Sequence, residues 1–143
     1  MPKWLVGTPG VKIFDNVTDE ERDRLLGASW CCLATSVREG WGLMVTESAA
    51  AGTPTVAYDV PGLRDSVVDG ITGILVTESQ EAAAKAIEEL LRSTKILYGM
   101  ATAARLVAQD LTWVIAEDAF RTAVSKLRVD RPGIRMLSRR VQT

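Results

Sequence analysis

Two glutamates flank a glycine-containing bend in this chain, Glu39-Gly40-Trp41-Gly42-Leu43-Met44-Val45-Thr46-Glu47. A carboxylate accepts hydrogen bonds only, and its two oxygens match a vicinal diol such as the edge of a ribose or a hexose. Gly40 and Gly42 bracket Trp41 just before a predicted helix, so the backbone can bend sharply and approach a ligand closely. With a helix starting near Leu43, the amides of Gly42, Leu43 and Met44 are unpaired donors at the positive end of the helix dipole. Such a start attracts phosphate. Glu39 in the loop and Glu47 about one turn into the helix can face one cleft. The combination suits a sugar-nucleotide better than a bare phosphate. Two carboxylates beside a diphosphate also require neighbouring cations, and Arg38 alone stands near the loop in sequence. The bland alternative is a solvated loop, with Trp41 either stacking on a ligand or packing beneath the bend.

Other chemistries are pruned by what the chain lacks. Gly40-x-Gly42 is not followed by the third glycine of a dinucleotide fingerprint, since position 45 is valine, and no Gly-Lys pair offers a P-loop. With no histidine in 143 residues, Ser-His-Asp and Cys-His catalysis and His-ligated metal sites are excluded within the chain. No metal or other cofactor is expected. Cys31 and Cys32 are sequence neighbours in an apolar run and read as small buried hydrophobes in a reduced compartment. A net charge of −1 does not suit nucleic acid. No stretch approaches the roughly 20 apolar residues of a membrane span, and the N-terminal residues are too short an apolar run for a signal peptide. The expected location is cytoplasmic.

The bend needs a scaffold, and strand and helix signals alternate around it. Val11–Phe14 reads as a short strand. Thr18 and Glu21 have capping-box spacing at the start of a helix to about Gly27. Trp30–Ala34 is a continuous apolar run of strand length, as for a strand covered on both faces. Leu43–Ala51 reads as a helix stopped by Gly52 and Pro54. Thr55–Tyr58 follows as a strand, then a short helix from Pro61-Gly62 to about Val68, a turn at Asp69-Gly70 and a strand at Gly73–Val76. Thr77 and Gln80 form a second capping-box pair before a helical stretch. Further helices cover about 95–109 and the residues after Thr112, the last with Trp113, Ala116, Phe120, Ala123, Val124 and Leu127 on one stripe. The predicted class is α/β: a Rossmann-like parallel sheet of about four strands with flanking helices and extra C-terminal helices. A complete doubly wound sheet has more strands, so one end of this one is expected to be incomplete.

At these residues the chain resembles the retaining glycosyltransferases of GT-B architecture, family 4. Glu39 and Glu47 resemble that family's paired glutamates. Ser36-x-x-Glu39-Gly40-Trp41-Gly42-Leu43 is similar to its loop, and Glu47 to Ala57 to its next helix and strand. Val67 to Val76 resembles its following turn and strand, and Leu111-Thr112-Trp113 the start of its closing helix. The resemblance implies transfer of a sugar from a UDP-, GDP- or ADP-sugar with retained configuration and without a metal. It implies that Glu39 lies against the donor sugar, that Gly40, Trp41, Gly42, Leu43 and Met44 approach the sugar and diphosphate, and that Glu47 holds the ribose hydroxyls. Thr35, Asp65 and Pro61-Gly62 depart mildly from the family pattern.

The resemblance also implies an N-terminal acceptor-binding domain and upstream basic residues, which are not expected within these 143 residues. Residues 1–127 are accordingly expected to form the donor-binding, C-terminal part of a GT-B fold that needs that domain or a partner chain for catalysis. Self-association through uncovered surface is a further expectation. Residues 128–143 form a basic tail, read as a solvated end or as a weak contact with an anionic membrane surface, worth about 1 kcal/mol per basic group. A second reading, of another class, is a degenerate and inactive relative serving as an interaction module.

Overall fold

The computed structural model describes residues 6–128, the side chain of Arg128 excepted. Three parallel strands, β1 (Cys32–Ala34), β2 (Thr55–Tyr58) and β3 (Gly73–Val76), lie in the order β1-β2-β3. Cys32 stands opposite Thr55, and Thr55 opposite Gly73, in the two registers. Parallel neighbours need crossovers, supplied by helices α2 (Leu43–Ala50) and α3 (Leu63–Ser66). Helix α1 (Asp19–Gly27) precedes β1, and α4 (Gln80–Arg92) and α5 (Thr94–Gln109) follow β3. The α/β class and the bounds of β2 and β3 are as expected. Among the described residues no helix is long and apolar enough to cross a membrane.

The central strand explains the core. All four residues of β2 are buried. On one side Ala57 and Tyr58 join Ala34, Val45, Val60, Leu63, Val67 and Ala83, and on the other Val56 joins Ala86, Leu90, Leu97 and Met100. Each side chain of this size contributes about 1.5–3 kcal/mol when fully buried.

The edge is different. Leu33 of β1 is 44% exposed and Trp30 61%, so the apolar run 30–34 is not covered on both faces. Val11–Phe14 forms no strand, and its residues are exposed. A four-residue run needs a ladder partner to count as sheet, and β1 has one only in β2. The sheet therefore has three strands where about four were expected.

Local chemistry sets the helix ends. The Thr18 hydroxyl accepts from the Glu21 amide at 3.2 Å, and this cap gives Thr18 a structural role. Gly52, at φ 79°, ends α2: its amide donates to the Ala49 carbonyl at 2.9 Å, and that of Thr53 to Ser48 at 2.9 Å. Only glycine takes this left-handed position without cost. The Thr53 hydroxyl then donates to the Leu26 carbonyl at 2.7 Å, tying α1 to the turn before β2. Helix α4 starts two residues later than the Thr77–Gln80 spacing suggests. Its cap is Ser79, whose hydroxyl accepts from the Ala82 amide at 3.3 Å. Cys31 and Cys32 are both free thiols, half-buried and buried, and burial pushes both above the ordinary thiol range.

The packing divides the chain into two compact units, Met1–Gln109 and Asp110–Thr143. The second contains α6 (Trp113–Arg128), whose start is capped by Thr112 accepting from the Ile115 amide at 3.3 Å. Its apolar stripe is exposed, Trp113 at 91%, and so is not the core face that its spacing suggests. Among the described residues of its unit, α6 has no other element to bury that stripe against. The basic tail expected at 128–143 lies outside the described residues apart from the backbone of Arg128.

Candidate functional site

The loop after β1 lies at the carboxyl end of the sheet, where ligands bind in open parallel folds. It is shaped by two glycines that the rest of the fold presses upon. Gly42 is the N-cap of α2 at φ 78° and is buried. A Cβ there would meet Leu63 Cδ2 at 3.0 Å and Ser66 Oγ at 3.1 Å. Gly62, the N-cap of α3 at φ 88°, lies against the backbone of Glu39. A Cβ on it would fall on the Glu39 carbonyl oxygen and within 2.7 Å of the carbonyl carbon. The turn before α3 is itself locked, since the Gly62 amide donates to Asp65 Oδ2 at 3.1 Å and Ser66 Oγ to the Gly62 carbonyl at 3.1 Å. The loop from Glu39 to Gly42 is thus seated on the first turn of α3.

This seating brings Glu39, Gly40, Trp41, Gly42, Leu43 and Met44 around one hollow of about 590 Å³, with Ala34, Ser36, Val45 and Leu63 completing its wall. The volume is that of an ordinary small-molecule site. The leading end of α2 is open, with Leu43 71% exposed. No side chain caps it, and the amides of Val45 and Thr46 turn back to the Gly42 carbonyl. The amides of Leu43 and Met44, one turn too early for such bonds, are the donors left to a ligand. Trp41 is half-exposed on the wall of the hollow rather than sealed beneath the bend.

Glu47 lines a different hollow, of about 380 Å³, with Arg22, Asp23, Gly27, Ala50 and Ala51. It stands one turn further along α2, and α1 draws its side chain: Glu47 Oε1 is 3.3 Å from Arg22 Nη1. The same guanidinium bonds Asp19 Oδ1 at 3.0 Å and Asp23 Oδ1 at 3.0 Å. These carboxylates raise the pKa of Arg22, the hydrogen bond to Asp23 most of all.

Arg22 is a candidate site residue absent from the sequence reading. The available signal was the i, i+4 spacing of Arg22 and Leu26, which with Glu21 and Leu25 make up the half-buried side of α1. Among the described residues Arg38, the cation near the loop in sequence, enters no ion pair within 4.0 Å, in contrast to Arg22.

The family model described as "Glycosyl transferases group 1" matches residues 7–107. The chain belongs to that family. Among curated group 1 relatives, the D-inositol 3-phosphate glycosyltransferase of Corynebacterium diphtheriae is 36% identical over 109 residues, which make up 76% of this chain and 26% of that protein. The trehalose synthase of Pyrococcus horikoshii is 39% identical over 80 residues, 54% of this chain and 19% of the relative. The chain thus spans about a quarter of the length of the curated relatives it matches. Among solved structures, sucrose-phosphate synthase from Thermosynechococcus elongatus superposes with a TM-score of 0.74 at 27% identity, covering 84% of this chain and 31% of that one. Anabaena HepE, solved in complex with UDP, shares the fold at a TM-score of 0.66 and 24% identity, covering 72% of this chain and 29% of that one. The three parallel strands and flanking helices of this group 1 chain therefore follow the Rossmann-like pattern of its structural neighbours.

Proposed function

We propose that this chain supplies the donor-binding half of a retaining family 4 glycosyltransferase, as the C-terminal part of a GT-B enzyme. In this reading it binds a UDP-, GDP- or ADP-sugar. Glu39 lies against the donor sugar, and the Leu43 and Met44 amides with the glycine bend meet the diphosphate. Glu47 accepts hydrogen bonds from the ribose hydroxyls. Departure of the nucleoside diphosphate builds negative charge on the phosphate oxygens, and preorganised amide donors aimed there lower the barrier. The reading calls on no metal ion, and it assigns the acceptor to a further domain or a partner chain.

The observation that carries it is the uncapped start of α2 opening into the hollow that also holds Glu39. Gly42, at φ 78° and pressed by Leu63 and Ser66, has no room for the Ser, Thr, Asp or Asn side chain that would otherwise close this helix start.

Calorimetry with UDP, GDP and ADP tests the reading. Binding of one of them at micromolar to millimolar levels is expected, weakened at least about tenfold by Glu47→Ala through the loss of charge-assisted hydrogen bonds. No binding of any of the three at millimolar concentration would remove it.

A second reading, an inactive relative acting as an interaction module, is favoured by the uncovered outer edge of β1 with Trp30 and Leu33 exposed beside it. It predicts that outcome without nucleotide binding, together with self-association visible by light scattering.

A further inference from the structure

We infer that Arg22 is a positioning residue for Glu47, and that through it helix α1 sets the preference of this site for ribose over deoxyribose. The inference rests on the donor-binding reading above.

Three carboxylates, those of Asp19, Asp23 and Glu47, converge on one guanidinium at 3.0, 3.0 and 3.3 Å. Asp19 and Asp23 belong to α1 itself, three residues before and one after Arg22, so they hold the guanidinium in place on its own helix. Nη1 donates to Asp19 and lies beside Glu47 as an ion pair, so Glu47 faces a cation already fixed at its other side. A planar guanidinium can satisfy several carboxylates at once from fixed directions, which a single ammonium does less well.

The consequence for Glu47 is geometric. Its Oε1 is held 3.3 Å from Arg22 Nη1 by opposite charge, which orients the carboxylate and leaves its lone pairs to accept from a ligand. A vicinal diol needs two acceptors at a set spacing and orientation, and a carboxylate free to rotate offers them only part of the time. Without the cation, Glu47 would face Asp19 and Asp23 with like charge and swing away from α1. The hollow that Arg22, Asp23 and Glu47 line has Gly27, Ala50 and Ala51 for its remaining wall. Small residues leave room for a furanose ring, and the paired acceptors there suit hydroxyls rather than phosphate. Arg24, by contrast, is spent on Glu21 at 2.7 Å and does not touch Glu47, although it is on the same helix.

The test compares UDP with 2′-deoxy-UDP, and the matching GDP and ADP pairs, by calorimetry on the full chain. The ratio of affinities within a pair reports on the hydroxyl contact alone, because a loss of folded protein lowers both members together. In the unsubstituted chain the ribonucleotide is expected to bind about tenfold more tightly, the scale of one hydrogen bond to a charged group. Glu47→Ala and Arg22→Met should each bring the ratio close to one. Arg22→Lys, which keeps the charge and loses the fork, should restore part of it, and Arg24→Met should leave it as it was. If Glu47→Ala collapses the ratio and Arg22→Met does not, the positioning role is overturned while the donor reading stands. If the unsubstituted chain shows no preference, or Glu47→Ala leaves the preference intact, the ribose role of Glu47 falls and this inference falls with it.

Discussion

Replacing Gly62 with alanine is expected to dislodge the Glu39 loop and destabilise the protein by about 3 kcal/mol or more, whereas Gly40→Ala should cost well under 1 kcal/mol. The two glycines stand at the two sides of the same contact. At Gly62 the backbone has φ 88°, ψ −52°, a region that side chains with a Cβ rarely enter. The added methyl would also collide with the carbonyl group of Glu39, which as backbone cannot rotate out of the way. Either the first turn of α3 unwinds or Glu39 moves off, and both outcomes disrupt the hollow. At Gly40 nothing lies within 4 Å of the added carbon. Urea unfolding of the two variants measures the difference directly. The nucleotide affinity of Gly62→Ala in dilute denaturant-free buffer should fall further than its folded fraction accounts for. Equal stability of the two variants would show that the seating of Glu39 on α3 is not what holds the loop.

Leu63→Ala should lower stability by about 3 kcal/mol, a fall of roughly 10 °C in melting temperature for a domain of this size. Leu63 is 1% exposed and sits in the core cluster with Val45, Ala57, Tyr58 and Val67. Its Cδ2 is also the atom against which Gly42 rests, so it supports the first turn of α2 from below. Truncation leaves a void under that turn, and the surrounding strand β2, buried along its whole length, has little freedom to collapse into it. The comparison is Leu91→Ala on α4, where the side chain is 42% exposed and the loss should stay below about 1 kcal/mol. A thermal melt of Leu63→Ala within a degree or two of the unsubstituted chain would contradict the packing described here.

Much of this was legible in the residues. Thr55–Tyr58 and Gly73–Val76 are short apolar runs bounded by Pro54, Gly70 and the capped start of α4, and punctuation of that kind marks strands well. Gly52 and Thr18 announce a helix end and a helix start by local chemistry alone, so both appear where their types predict. Apart from the cap of α4, the failures are cases in which the deciding partner is distant in sequence. Val11–Phe14 has strand composition, but composition does not supply a neighbouring strand. The stripe on α6 has core spacing, but among the described residues of its unit no element covers it. At α4 two hydroxyl residues stood close together, and Ser79 took the cap because its oxygen reaches the Ala82 amide. The seating of Glu39 on Gly62 joins residues 23 positions apart, and the Arg22–Glu47 pair joins residues 25 positions apart. No periodicity encodes either contact.

The candidate site shows the same division. Its residue types, the glycine bend and the helix start are local and were readable from the chain. That Glu47 turns to α1 while Glu39 and the helix start share a hollow is a matter of packing; no cation lines that shared hollow among the described residues, and Arg22 stands beside Glu47 in the other one.

In the proposed site a nucleoside diphosphate meets the open start of α2. Amide-resolved NMR of the isotope-labelled chain during titration with UDP, GDP or ADP addresses it most directly. The largest shifts are expected at the amides of Leu43 and Met44, with smaller ones from Glu39 to Gly42, around Glu47 and at Arg22. Saturable shifts confined to another surface, such as the hollow beside Trp30 and Tyr98, with Leu43 and Met44 unmoved, would contradict it.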